Sequence, residues 1–211
     1  MPIFRSGKCN APAWCELESF DLIDLARDAR REVSRQGRKE ELIVCRGRVR
    51  VQWGTVSADL GEGGVLDFKG ASPRTFTIAA VSEALVFRAM GRWKFVNSSG
   101  IFSPPAAPPP AFDTPYTYRK TTGFDNHYHD CDEYWILFQG KARVASEGKL
   151  YDVGPGDCVA TGMGWHHDVL SVKGDGPMRA VWFEGTLEGR KRIGHLWEPR
   201  HGKAAPRPKR V

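Results

Sequence analysis

Apolar residues in this chain come in short runs, not in long stripes of helical period. ELIVCRGRVRV (Glu41–Val51), EALVFRAM (Glu83–Met90), DEYWILFQGKARV (Asp132–Val144) and PMRAVWF (Pro177–Phe183) are rich in β-branched and aromatic residues. Gly-rich turns such as GEGG at Gly61 and GPGD at Gly154 separate such runs. The pattern predicts an all-β protein of short antiparallel strands, as in a barrel or sandwich. One stretch also fits a helix: DLIDLARDARREVSRQ (Asp21–Gln36) spaces Leu22, Leu25, Ala26, Ala29 and Val33 compatibly with a 3.6-residue period.

A repeat resolves that ambiguity. KEELIVCRGRVRV (Lys39–Val51) lies over DEYWILFQGKARV, and GEGGVLDF (Gly61–Phe68) over GPGDCVAT (Gly154–Thr161). Glu40 and Glu133, Gly47 and Gly140, and Gly63 and Gly156 each stand 93 positions apart. SEALVFRAM falls on DGPMRAVWF with the same offset. A constant offset predicts two copies of one unit. The partner of Asp21–Gln36 is TPYTYRKTTGFDNHYH (Thr114–His129), which is not helical, so strand is expected in both. Prolines cluster in Ser98–Pro115, where neither helix nor central strand accepts them. The expected organisation is a unit over 1–97, a linker over 98–115, a second unit over 116–190 and a basic tail over 191–211.

Charge changes the picture only locally. The net charge of +6 suggests nucleic acid until it is placed: from Arg190 onward there are eight basic residues and one acid. The Pro-rich end HGKAAPRPKRV reads as a solvated, disordered tail. The remainder offers no basic face with interleaved aromatics, so no nucleic-acid partner is expected. No apolar run approaches the roughly 18 to 20 residues of a membrane helix. The opening MPIFRSGKCNAPAW lacks the order of a secretory signal. Five scattered cysteines without a CxxC pair read as reduced thiols in a cytoplasmic protein. Monomer and homodimer both remain open.

The chemistry lies in the second unit. All six histidines follow residue 126. In an extended segment His127 and His129 share a face. Glu133 opens the next strand, with Trp135 and Leu137 on its face, and His166 and His167 follow a Gly-rich turn. Imidazoles and a carboxylate on convergent strands form a ligand set for Zn, Mn, Fe or Ni.

His127-x-His129-x3-Glu133-x6-Gly140 resembles the first motif of the cupin superfamily in ligand identity and spacing. Gly154-Pro155-Gly156-Asp157, followed by Gly164-x2-His167, resembles its second, with Gly162 where a proline is usual. The resemblance implies a bicupin of two small antiparallel jelly-roll barrels, the second holding one divalent metal through His127, His129, Glu133 and His167. Fe(II) stands ahead of Mn, Zn or Ni. Trp135, Leu137, Trp165 and His166 are expected around a small organic substrate, and His195 and His201 in solvent. Cys131 is expected to be a buried structural thiol. Glu133 doubles as a proton relay. A dioxygenase comes first among activities, then a metal-dependent isomerase, epimerase or lyase, then a non-catalytic binding module.

The first unit has lost this set. At the same offset Ser34, Gln36 and Arg74 replace the histidines, and Glu40 alone persists. An ion pair between Glu40 and Arg74 is the expected substitute for a metal.

Overall fold

Residues 3–6, 10–36, 38–68, 70, 73–107 and 118–211 are described by the structure, a computed structural model. The strands are β1 (Ile3–Arg5), β2 (Leu17–Leu25), β3 (Arg30–Ser34), β4 (Lys39–Arg46), β5 (Arg48–Trp53), β6 (Val56–Gly61), β7 (Val65–Phe68), β8 (Thr75–Ala80) and β9 (Ala84–Gly91). They continue with β10 (Ser98–Phe102), β11 (Glu133–Gln139), β12 (Lys141–Ser146), β13 (Lys149–Val153), β14 (Asp157–Thr161), β15 (His167–Lys173) and β16 (Arg179–Glu184). One short helix, α1 (Glu198–His201), follows. The chain divides into a unit of Ser6–Ala11 and Glu16–Trp93 and a unit of Met1–Arg5, Pro12–Cys15 and Lys94–Val211.

In the former, two antiparallel sheets run β2-β9-β4-β7 and β3-β8-β5-β6. Alternation dictates which side chains meet: on β5, Val49 and Val51 are buried while Arg48 and Arg50 face out. These valines join Ile23, Val33, Leu42, Val44, Phe76 and Ile78 in a dry core. Asp21–Gln36 is strand, not helix. It supplies most of β2 and all of β3, with a turn at Asp28 between them.

The other unit pairs β1-β14-β11-β16-β10 and β13-β12-β15. Its core gathers Trp135, Leu137, Val144, Val153, Val159, Val169 and Met178. The pairing pattern matches: β4 lies between β7 and β9 as β11 lies between β14 and β16, and β5 between β6 and β8 as β12 between β13 and β15. The repeated glycines have one physical cause. Gly47 and Gly140 both have positive φ (79° and 71°), and a Cβ there would meet Glu83 O at 2.0 Å or Pro177 O at 2.6 Å.

Two boundaries differ from the expected ones. Ile3–Arg5 pairs with β14, so the start of the chain contributes to the later unit. Ser98–Phe102 is not linker but β10, an edge strand on β16. Residues 108–117, which hold the later part of the expected linker and the start of the second unit, lie outside the described residues.

The basic tail is mostly exposed, but it is hydrogen-bonded to its own unit. Arg190 donates to the carbonyls of His201 and Lys203, Tyr128 Oη donates to Gly202 O at 2.6 Å, and Trp165 Nε1 donates to Arg207 O at 3.3 Å. A Cβ on Gly162 would lie 2.3 Å from Arg210 O, so the tail seats directly against the chain there. Composition misled because the partners are remote acids and backbone groups, not apolar surface within the tail. Deleting His201–Val211 is expected to lower the melting midpoint by more than about 3 °C; an unchanged midpoint would mean the packing contributes nothing.

The four described cysteines that are free thiols, Cys15, Cys45, Cys131 and Cys158, are all buried. Burial pushes the Cys131 thiol far up, which suits a structural role. Among the described residues, no helix is long and apolar enough to cross a membrane.

Candidate metal centre

Extended backbone places His127 and His129 on one face and Tyr128 on the other. His127 is held to His167 by reciprocal backbone bonds (3.3 and 3.0 Å), and Tyr128 bonds reciprocally to Leu196 (3.0 Å each way). Glu133 opens β11 opposite Thr161 of β14 and Glu184 of β16. His167 opens β15. One ligand atom from each of His127, His129, Glu133 and His167 lies within 4.8 Å of the others, and all four residues are buried.

The donor atoms are poised for a cation. Nδ1 of His127 faces the Asp125 carbonyl at 2.9 Å and Nδ1 of His167 the Trp165 carbonyl at 3.1 Å. A carbonyl only accepts, so each Nδ1 carries its proton and each Nε2 presents a lone pair inward. The Nε2 atoms of His127, His129 and His167 and Oε2 of Glu133 are buried without a hydrogen-bond partner. Glu133 Oε2 sits 2.5 Å from His167 Nε2 and 3.4 Å from His129 Nε2. Four such atoms aimed at one point are costly unless something positive sits among them. The residues therefore fit a divalent metal.

Electrostatics agrees. Burial pushes His127 well below the usual histidine range, helped by the charges of His167 and His129. At His129 burial acts the same way, yet the nearby charges of Glu133 and Glu184 outweigh it and raise its pKa. Burial would raise Glu133, but His129 and His167 hold it well below the carboxylate range. The carboxylates call for positive charge between them.

A cavity of about 170 Å³ adjoins the set, lined by Phe102, Phe124, Glu133, Trp135, Trp182, Glu184 and His195. Glu184 accepts from Asn97 Nδ2 at 2.5 Å and lies 3.6 Å from His129 Nδ1; burial raises its pKa. The His195 ring stacks on His127 (centroids 3.6 Å, 7° apart), with Nδ1 3.0 Å from Asp125 Oδ2, which also accepts from Trp197 Nε1 at 2.8 Å. A larger hollow of about 400 Å³ opens in the other unit beside Asp21, Arg31, Glu32 and Arg88. No group of metal-ligating side chains lies there among the described residues.

Of the expected site residues, the structure brings His127, His129, Glu133 and His167 together and sets Trp135 in the cavity wall. Leu137 lies deeper, in the core. Trp165 is half-buried against the tail. His166 points away from its neighbour, towards Tyr128 and 4.0 Å from Glu198, and burial lowers its pKa to about 4. Sequence reasoning passed over Glu184, Asp125 and His195; the last is exposed, as expected, yet also lines the cavity. A lone acid ending the apolar run of β16 was the available signal for Glu184.

In the other unit Arg74 is exposed and does not reach Glu40. Arg88 does: its Nε and Nη2 lie 2.9 and 2.8 Å from Glu40 Oε2. Strand register decides the partner, since β9 runs beside β4 and sets Arg88 on the Glu40 face.

Residues 116–184 match the cupin domain family. Over 213 aligned residues the chain is 42% identical to "Uncharacterized protein y4oW" of Sinorhizobium fredii (strain NBRC 101917 / NGR234), covering 100% of this chain and 97% of that one. A structure of Bacillus subtilis oxalate decarboxylase, described for its Mn(II) centres, superposes with TM-score 0.55 at 15% identity, covering 83% of this chain and 70% of that one. Protein Ylba from E. coli gives TM-score 0.53 at 13% identity, covering 81% and 77%. At these identities the structural likeness concerns the fold.

Proposed function

The chain carries a cupin domain and belongs to one family with y4oW of Sinorhizobium fredii, and on that footing we propose that it is a metal-dependent enzyme acting on a small organic molecule. The observation that carries this is the convergence of four buried, unpartnered donor atoms beside a cavity. His127, His129, Glu133 and His167 hold the ion, Fe(II) or Mn(II); Mn(II) centres in a protein of like fold support the latter. When bound, such an ion supplies Lewis acidity and, with Fe(II), a route to dioxygen chemistry. The repeat and the shared pairing pattern support a bicupin whose other copy has lost its metal.

The cavity, of about 170 Å³, suits a small substrate. Phe102, Phe124, Trp135 and Trp182 exclude water and grip an apolar or planar body. Glu184 supplies a second carboxylate on the wall next to Glu133. A proton-transferring conversion, such as an isomerisation or lyase reaction, would use that group directly, because Glu184 lines the cavity and is placed to give or take a proton there. This reading moves ahead of the dioxygenase, which the apolar walls support as a second reading.

The test is metal analysis of protein purified without chelator, followed by oxygen-uptake measurements and a substrate screen. Turnover without oxygen uptake supports proton transfer; iron with oxygen uptake supports the dioxygenase; a chain that takes up no metal refutes both. Glu184→Gln is expected to lower kcat by about a hundredfold while leaving metal content intact. An unaffected kcat would remove Glu184 from the chemistry.

A further inference from the structure

Two acids alternate through the ligand segment, Asp130 and Asp132, and both are buried. Asp130 Oδ2 accepts the Arg192 N–H at 3.1 Å, tying the segment to the chain that follows β16. Asp132, directly before Glu133, does more. Its Oδ1 accepts the Met163 N–H and a bond from Arg210 Nη1, both at 2.8 Å. Met163 belongs to the turn that delivers His167, and in that turn the Gly164 N–H donates to the His129 carbonyl at 2.9 Å. One carboxylate thus joins the strand bearing Glu133, the turn bearing His167 and the last residues of the chain.

We propose that Arg210 is a positioning residue for the metal centre: by holding Asp132, it keeps Glu133 and His167 at the separation that lets all four donors reach one ion. The inference rests on the metal-binding reading above. The Asp132 side chain is 1% exposed and that of Arg210 is 19% exposed. Arg210 Nη1 sits directly on that buried carboxylate, so on loss of Arg210 it is held less firmly and shifts. It then drags on the adjacent Glu133 and releases the Met163 turn. The fit around Arg210 is tight on the backbone side as well. A Cβ on Gly162 would lie 2.3 Å from Arg210 O, and the Arg207 N–H donates to Met163 O at 3.3 Å.

The experiment titrates Mn(II) into metal-free full-length protein, following free Mn(II) and the line shape of bound Mn(II) by electron paramagnetic resonance. Arg210→Ala is expected to weaken binding by about tenfold and alter the bound spectrum, the usual scale for groups that orient ligands. Arg210→Lys keeps the charge and restores most of the loss. Arg207→Ala removes a neighbouring tail guanidinium that pairs with Glu188 at 2.8 Å, and should bind as the wild type does. Equal affinity and an unchanged spectrum in Arg210→Ala would overturn the proposal, as would an equal loss in Arg207→Ala. If Arg210→Ala does not fold, Arg210→Met, which keeps the stem and loses the charge, carries the test: a loss of the same sign is expected, and no loss overturns it. Wild-type protein that binds no Mn(II), Fe(II) or Zn(II) would bring down the metal reading itself, a result distinct from all of these.

Discussion

The double variant His127→Ala with His129→Ala is expected to lose its metal and its turnover and to keep its fold. Without an ion the four donors oppose the fold. Nε2 of each histidine is buried without a hydrogen-bond partner, and such a group costs about 1–3 kcal/mol. Removing two imidazoles relieves part of that cost and leaves Glu133 facing His167 at 2.5 Å. Stability comes from elsewhere, from the core of Trp135, Leu137, Val144, Val159 and Val169 between two sheets. The variant should therefore melt within a few degrees of metal-free wild type, show the same circular dichroism and retain less than a tenth of the bound metal. A structural site behaves in the opposite way, because there metal binding is folding free energy. An unfolded double variant would place this site in that class and end the enzymatic reading.

How far the sequence reveals such a site depends on how local the signal is. His127 and His129 are legible because an extended chain puts i and i+2 on one face, and Glu133 follows at short range. Val49 and Val51 are legible for the same reason, and Gly47 and Gly140 because a repeat marks turns that tolerate no side chain. What escapes is set by pairing across the chain. Glu184 reaches the cavity because β16 is in register with β11, and no local pattern states that register. His195 sits on His127 because the segment after β16 folds back, held through Leu196 on Tyr128 and Arg192 on Asp130. The same return explains the tail: its basic residues read locally as a solvated run, but Arg210 and Arg207 meet Asp132 and Glu188, acids remote in sequence. His166 and His167 differ only by alternation, and the start of β15 decides which of them faces in.

The buried charges of the other unit make the second large prediction, and here too register chose the partner. Glu40 is fully buried, and its two oxygens are divided between neighbours. Oε1 accepts the Gln36 N–H at 2.6 Å and lies 3.9 Å from Arg35 Nε; Oε2 takes Arg88 Nε and Nη2. Arg88 Nη2 also donates to Ser34 O at 2.8 Å, so the guanidinium bridges β4 and β3. Asp21 stands 3.6 Å from Arg88 Nη1 with a third of its side chain exposed, and solvent screens that contact. Arg88→Ala removes the guanidinium that sits directly on the buried Glu40 carboxylate, leaving Arg35 Nε at 3.9 Å, and should cost up to roughly 3–5 kcal/mol, measured by chemical denaturation. Glu40→Ala strands the guanidinium, but Asp21 and the opening toward solvent soften the loss, so its cost should be smaller. The double variant should cost clearly less than the sum, because once one partner is gone the other is a liability. Replacing the pair by apolar residues of similar volume, Glu40→Leu with Arg88→Met, should come near to neutral. Small and additive effects around the cycle would show that water reaches both groups and that the pair does not hold this barrel mouth together.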